Sequence, residues 1–146
     1  MADTDPLATL NPAVIGQAEK AHNAVLDRVL AGTALDEHRW ITLQLALATG
    51  PVPRTELATR VTTLAKFSAT AVHEAISGLA AAGLIHIDQE DVAVTTAGRS
   101  QVHALRQRVG SIIGPAYASV SVQDREVAAR VLSQITGRLN VVLAGN

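Results

Sequence analysis

The stretch that decides the fold, residues 68–95, reads SATAVHEAISGLAAAGLIHIDQEDVAVT. It opens with Ser68, a residue type that caps helices, and apolar residues then recur on one helical face: Val72, Ile76 and Leu79. Gly83 is placed where a left-handed residue ends a helix. Two short β-branched runs follow, with four polar residues between them. The stretch predicts an amphipathic helix and then a small hairpin with strands at 84–87 and 92–95.

Capping residues and helical periodicity predict five further helices around this stretch. They run from Asn11 to Gly32, from a capping-box motif at 33–36 to Gly50, over 54–60 for about two turns, from Thr95 or Thr96 to a break at Gly114-Pro115, and from a second capping-box motif at 121–124 to about residue 143. The first ten residues carry no periodicity and predict a flexible arm. The order is helix, turn, helix, hairpin, helix.

The composition describes one globular domain. The 146 residues are 48% hydrophobic, 17% charged and only 2% aromatic, which favours helices packed through Ala, Val, Leu and Ile. The absence of cysteine excludes disulfides, thiolate zinc sites and thiol redox switches. No signal peptide or membrane span is visible, and we expect a cytoplasmic protein without a membrane partner. The net charge of −1 says nothing of nucleic acid, so any binding face for it must be local.

The order of elements is that of a winged helix-turn-helix. Six short motifs occur along this order of elements: 35–43 (LDEHRWITL), 55–58 (TELA), 72–76 (VHEAI), 83–85 (GLI), 94–99 (VTTAGR) and 120–124 (VSVQD). In this order and spacing, over roughly residues 12–143, the chain resembles the MarR family of regulators. The resemblance implies a mainly α fold with a small β hairpin.

The resemblance also implies an organisation and a role. It implies a single domain over 11–146, with the winged helix-turn-helix at about 35–100 and dimerisation helices at about 12–31 and 100–143. It further implies a bacterial-type transcriptional regulator, a homodimer that binds double-stranded DNA at an inverted repeat and that a small anionic or aromatic effector releases. By position, the recognition helix would be 68–82 and the wing 86–94.

Candidate DNA contacts follow from this placement. Ser68, Thr70 and His73 share one face of the predicted recognition helix and are candidates for base or phosphate contact. The candidates for phosphate contact are Arg54, Arg60, Lys66 and Arg99. The alternatives are a solvated face for the helix and, for Arg99, an ion pair with Asp88 or Asp91. If His73 lies near phosphate, affinity should rise as the pH falls towards 6.

Acidic residues support a second hypothesis. Glu74 stands about where the family often has a basic residue, and the short wing contains Asp88, Glu90 and Asp91. Carboxylates repel a phosphate backbone. The alternative is therefore a winged-helix dimer that has lost strong DNA affinity and acts as a protein-interaction or small-ligand-binding module.

The sequence bears on three other kinds of site. An effector pocket could be lined by His38, Arg39, Trp40 and Tyr117, although Trp40 also fits a core position in its apolar stripe. The five histidines lie at least thirteen residues apart, so we expect no metal site. Catalytic and cofactor motifs are absent, and we expect neither an enzyme nor a cofactor.

The last predicted helix carries an apolar stripe longer than a small winged core needs. Four of its residues are the candidates for dimerisation: Val127, Val131, Ile135 and Leu139. We expect this stripe to be covered by a second copy of the chain.

Overall fold

The structure, a computed structural model, describes residues 9–145. Of the arm expected at 1–10, all but the last two residues lie outside this range. In chain order the elements are α1 Pro12–Leu30, α2 Glu37–Thr49, β1 Val52–Pro53, α3 Arg54–Ala65, α4 Ala69–Ala81, β2 Ile85–Asp88, β3 Asp91–Val94, α5 Thr96–Ala118 and α6 Val122–Ala144. The fold is mainly α with a small antiparallel sheet, as the sequence predicts.

Most helices begin at the predicted caps. The Ser68 hydroxyl accepts from the amide of Ala71 at 3.1 Å, and the Thr95 hydroxyl accepts from that of Gly98 at 3.0 Å. Asn11 and Ser121 cap α1 and α6 in the same way. These side chains satisfy amides that have no partner inside the helix, which is why they fix its first turn.

The predicted start of α2 is wrong. Asp36, not Thr33, caps this helix, since its carboxylate accepts from the amide of Arg39 at 2.8 Å. The Thr33 hydroxyl instead donates to the carbonyl of Leu30 at 2.7 Å and accepts from the amide of Leu35 at 3.1 Å. Thr33 therefore belongs to the turn between α1 and α2.

Helix α3 is longer than the two turns predicted and ends at Ala65. Leu57, Ala58 and Val61 are buried along it, and the Thr62 hydroxyl bonds back to the carbonyl of Thr59 at 2.9 Å. A threonine satisfied in this way does not interrupt a helix. The turn before α4 is accordingly short, and it begins at Lys66 in the left-handed conformation (φ 61°).

The sheet has a third strand that the sequence did not predict. Strand order is β1-β3-β2, with Val52 opposite Val92 and Ile85 opposite Val94. β1 is two residues long and ends in a proline, a residue that strands tolerate at a sheet edge. The two predicted hairpin strands are present, each displaced by one residue.

The core of the first compact unit, which ends at Val109, lies among α2, α3, α4 and the sheet. Its most completely buried large side chains include Leu43, Leu57 and Ile76, none of them accessible to solvent. Trp40 is 5% exposed and belongs to this core, as its place in the apolar stripe indicated. The core holds the predicted apolar face of α4 inward, which leaves the opposite face of that helix to solvent.

The second compact unit, 110–145, contains the end of α5 and all of α6. The break predicted at Gly114-Pro115 is wrong, because α5 continues through Pro115 to Ala118. A proline removes only one amide donor, and the carbonyl of Pro115 still accepts from the amide of Ser119 at 3.2 Å. Among the described residues, no helix has both the length and the apolar run that a membrane span requires.

Candidate nucleic-acid interface

The outward face of α4 carries the polar residues that the sequence assigns to binding. Val72 and Ile76 are fully buried, whereas Ser68 and Thr70 are exposed at the start of the helix. Glu74 and Ser77 continue the exposed face towards the C-terminal end. His73 is only half-buried on this face.

Arg54, the first residue of α3, explains the partial burial of His73. Its Nε donates to Nδ1 of His73 at 3.2 Å, and its Nη2 donates to the carbonyl of His73 at 3.1 Å and to the hydroxyl of Ser77 at 3.0 Å. Its backbone amide donates to the carbonyl of Glu90 in the wing at 2.8 Å. One arginine thus joins α3 to the outward face of α4 and to the hairpin.

These bonds also indicate the tautomer of the His73 ring. Because a guanidinium can only donate, Nδ1 of His73 accepts, and the ring proton lies on Nε2. The Nε2 proton of His73 therefore remains as the donor of the ring.

A cleft of about 700 Å³ opens on this face. Its polar lining comes from three helices: Arg39 of α2, Arg54 of α3, and Thr70, His73, Glu74 and Ser77 of α4. Two guanidinium groups and several hydrogen-bonding groups meet there, with a single carboxylate. Such a set matches the phosphate and base-edge groups of a nucleic acid.

Two of the other predicted cations lie outside this cleft. Arg60 pairs with Glu56 one turn earlier at 2.7 Å, and both side chains are nearly half exposed, so the pair is weak. The Nζ of Lys66 donates to the carbonyl of Thr63 at 2.9 Å, in the turn before α4. Both residues stay predictions as phosphate contacts.

Arg99 is exposed in the first turn of α5, beside a small cleft of about 120 Å³ formed with residues of α2 and β3. Within the described chain it makes no ion pair with Asp88 or Asp91, the alternative that the sequence left open. The arginine is therefore available to a phosphate.

The wing is acidic at its tip. Asp88 faces Asp91 across the hairpin, and Gln89, in the left-handed conformation (φ 55°), and Glu90 form the turn between them. All four residues are exposed. Like charges opposite each other weaken a hairpin, and they repel a phosphate backbone.

The four residues predicted to bind an effector differ in their burial and in their immediate neighbours. His38 and Arg39 line a cleft of about 160 Å³ together with Asp36 and Glu74, and the His38 ring meets that of Phe67 edge-on with 4.3 Å between centroids. Trp40 belongs to the core. Tyr117 is 47% exposed and lies in the second unit. In the described part of the chain, no group of three His, Asp or Glu side chains could hold a metal ion.

The predicted dimerisation residues are accessible on α6. Val127, Ile135 and Leu139 are 44%, 37% and 58% exposed, and Val131 is half-buried. An open cleft of about 400 Å³ is lined by Val131, Gln134, Ile135, Arg138 and Leu139. No residue of α6 is buried. The second unit thus exposes the apolar stripe that the sequence predicts for its last helix.

Two contributions to the site were missed by sequence reasoning. Arg39 was assigned to an effector pocket, yet it lines the cleft on α4, and Ser77 was not assigned at all. The signal available in the sequence was Gly78, a glycine inside a helix, which indicates a close approach by another group.

Comparison with solved structures identifies the fold. BpsR of Bordetella bronchiseptica, whose DNA binding is regulated by 6-hydroxynicotinic acid, matches with a TM-score of 0.71 and 14% identity over 91% of this chain and 98% of its own. A MarR-family transcriptional regulator of Silicibacter pomeroyi matches with 0.71 and 20% over 87% and 88%. CouR of Rhodococcus jostii, bound to p-coumaroyl-CoA, matches with 0.70 and 15% over 84% and 88%.

These matches cover both compact units, and at such identities they show a shared fold. No protein-family model matches the sequence, and no curated protein resembles it in sequence. The expected fold class, mainly α with a winged helix-turn-helix, is confirmed.

Proposed function

We propose that this protein, which has the winged-helix fold of MarR-family regulators, binds double-stranded DNA and regulates transcription. The observation that carries the proposal is the outward face of α4, where Thr70, His73 and Ser77 lie beside the guanidinium of Arg54. A helix with such a face enters the major groove, where hydroxyl and imidazole groups meet base edges and arginine meets phosphate.

The apolar face of α6 supports a homodimer as the binding species. A second copy of this chain would cover Val127, Val131, Ile135 and Leu139, and in a two-fold dimer each protomer contributes the same patch. Two α4 helices related by that symmetry would read an inverted repeat with half-sites about ten base pairs apart.

A small effector completes the proposal. BpsR responds to a pyridine carboxylic acid and CouR binds an aromatic acyl-CoA, both of them anionic aromatic ligands. In this chain His38 and Arg39 share a cleft next to α4 with the acidic Asp36 and Glu74, and they carry the donors that a carboxylate would need. We propose that an anionic aromatic compound binds there and that the protein acts as a cytoplasmic repressor released by it.

One set of observations favours a second function. The wing tip carries three exposed carboxylates, and Glu74 lies in the cleft on α4. These charges oppose a polyanion. On this alternative, the winged-helix dimer has little DNA affinity and acts through a protein or small-ligand partner.

A selection from random duplex DNA at two salt concentrations separates the two functions. The DNA-binding proposal expects enrichment of an inverted repeat, with affinity that falls as salt rises because phosphate contacts release counterions. Recovery of unenriched sequence at both concentrations would contradict it and support the second function.

A further inference from the structure

The backbone of α4 does not require a glycine at position 78. Glycine inside a helix is less favourable than alanine because it has more conformational freedom to lose. Gly78 does not end the helix either, since Ala82 is the C-cap and Gly83 takes the left-handed conformation (φ 74°). The reason for a glycine here must lie outside the backbone of α4.

That reason is the guanidinium of Arg39. A Cβ built on Gly78 would lie 2.5 Å from Nη2 and 2.6 Å from Cζ and Nε of Arg39. The arginine side chain therefore lies flat against α4 in the space where a larger residue would project. Any side chain at position 78 would displace it.

Arg39 is held in this place from the α2 side as well. Its Nη1 donates to the carbonyl of Ala34 at 2.8 Å, and its backbone amide donates to the cap residue Asp36 at 2.8 Å. Within the described residues, Nε and Nη2 have no hydrogen-bond partner. Two donors of a fixed cation thus remain available on the outward face of α4.

The same cleft contains Arg54, so two guanidinium groups line one surface. The only acidic side chain in that lining is Glu74. The wing, with its facing aspartates, supplies no cation to a DNA backbone. Within the lining of this cleft, the positive charge is therefore concentrated at Arg39 and Arg54, whereas Arg60, Lys66 and Arg99 lie outside it.

We infer that Arg39 contacts a backbone phosphate of the bound duplex, and that Gly78 is the positioning residue that lets its guanidinium lie across α4. The inference rests on the proposed function and adds to it a phosphate contact from α2. A planar guanidinium with two free donors suits a phosphate oxygen pair.

The competing explanation is that Arg39 only joins α2 to α4. If Arg39 had only this structural role, replacing it would change the stability of the fold and would leave the salt dependence of DNA binding unchanged. The two explanations therefore differ in a quantity that titration measures directly.

The experiment compares Arg39→Ala, Arg39→Lys, Gly78→Ala and the double variant Arg39→Ala, Gly78→Ala with the parent. Each is titrated with the duplex recovered from the selection, over a series of KCl concentrations, and its thermal unfolding is recorded. The exposed Arg28 of α1 provides the matched control, because Arg28→Ala removes the same charge from another helix.

Arg39→Ala should weaken binding about tenfold for each bound protomer, the effect of losing one charge-assisted hydrogen bond. It should also reduce the slope of log affinity against log salt by about 0.9 for each bound protomer. Arg39→Lys should bind more tightly than Arg39→Ala but less tightly than the parent, because lysine keeps the positive charge and lacks the planar guanidinium. Arg28→Ala should match the parent.

Gly78→Ala gives the sharper result. It should weaken binding as Arg39→Ala does while unfolding at an equal or higher temperature, because alanine is the better helix former. The double variant should bind no worse than Arg39→Ala alone, since both changes remove one contact.

An unchanged salt slope in Arg39→Ala, or a Gly78→Ala variant that binds like the parent, would overturn the inference and leave the proposed function standing. Additive losses in the double variant would likewise overturn the positioning role of Gly78. A parent protein that binds no duplex would overturn both the inference and the proposed function.

Discussion

The hydrogen bonds of individual arginines connect the helices of the candidate site, and the remaining donors of each arginine determine what it can bind. Arg54 was predicted as a phosphate contact, and the structure adds three bonds from it to His73 and Ser77. Sequence could not predict these bonds, because the partners lie 19 and 23 residues away and meet only when α3 packs on α4. It could predict that Thr70 faces outward, since helical spacing alone determines that.

Thr42 provides a prediction about stability at the same scale. Its side chain is fully buried in α2, and its hydroxyl has no hydrogen-bond partner among residues 9–145. Burying an unpaired hydroxyl is unfavourable. Thr42→Val, which replaces the hydroxyl with a methyl group of similar size, should raise the free energy of unfolding by about 1 kcal/mol in urea denaturation.

Thr59→Val is the control for Thr42→Val. The Thr59 side chain is exposed on α3, and its hydroxyl donates to the carbonyl of Thr55 at 2.9 Å. The control should change stability by less than about 0.5 kcal/mol. A Thr42→Val variant less stable than the parent would show that the hydroxyl has a favourable role.

At the scale of elements, the sequence predicted what local chemistry determines. The caps at Ser68 and Ser121 and the buried face of α4 follow from residue type and spacing. Strand β1 did not, because Val52 and Pro53, directly after Pro51, form a strand only when β3 is there to pair with them. The continuation of α5 through Pro115 likewise depends on hydrogen bonds that a proline signal does not reveal.

The packing of α5 against the hairpin predicts that a side chain at position 98 strongly destabilises the fold. A Cβ at this position would collide with the backbone carbonyl of Leu84 and lie 2.9 Å from the side chain of Val94. Backbone cannot move aside easily, so Gly98→Ala should lower the free energy of unfolding by about 2–4 kcal/mol.

Gly110→Ala, in the same helix, has open space around the added methyl group and serves as the control. Because alanine favours helix, this variant should gain up to about 1 kcal/mol. Chemical denaturation of both variants makes the comparison. Equal stability of Gly98→Ala and the parent would contradict the close packing of α5 against Leu84 and Val94.

The wing predicts a gain of affinity on neutralisation. Asp88→Asn with Asp91→Asn removes two facing carboxylates at the hairpin tip. If DNA passes near the wing, the double variant should bind the selected duplex more tightly, with the largest gain at low salt where charges are least screened. Anisotropy titrations at low and high salt measure this, and weaker binding would show that the carboxylates make a favourable contact.

For the molecule as a whole, the apolar face of α6 predicts assembly. Val131→Glu with Ile135→Glu places charges within the exposed apolar cleft, where a second copy is expected to pack. Sedimentation should find monomers in place of dimers. Ser133→Glu and Asn140→Glu, on the opposite side of α6 by helical spacing, should sediment like the parent. A folded dimer in the double variant would contradict this interface.

The central claim is that α4, rather than the wing, meets the bases. It is tested most directly by photo-crosslinking to the selected duplex from a reactive side chain placed at Thr70 on α4, at Gln89 in the wing tip or at Ser133 on α6, all of them exposed. The account predicts a strong crosslink to bases inside the half-site from position 70, a weak one from position 89 and none from position 133. A strong crosslink from position 89 with none from position 70 would contradict it.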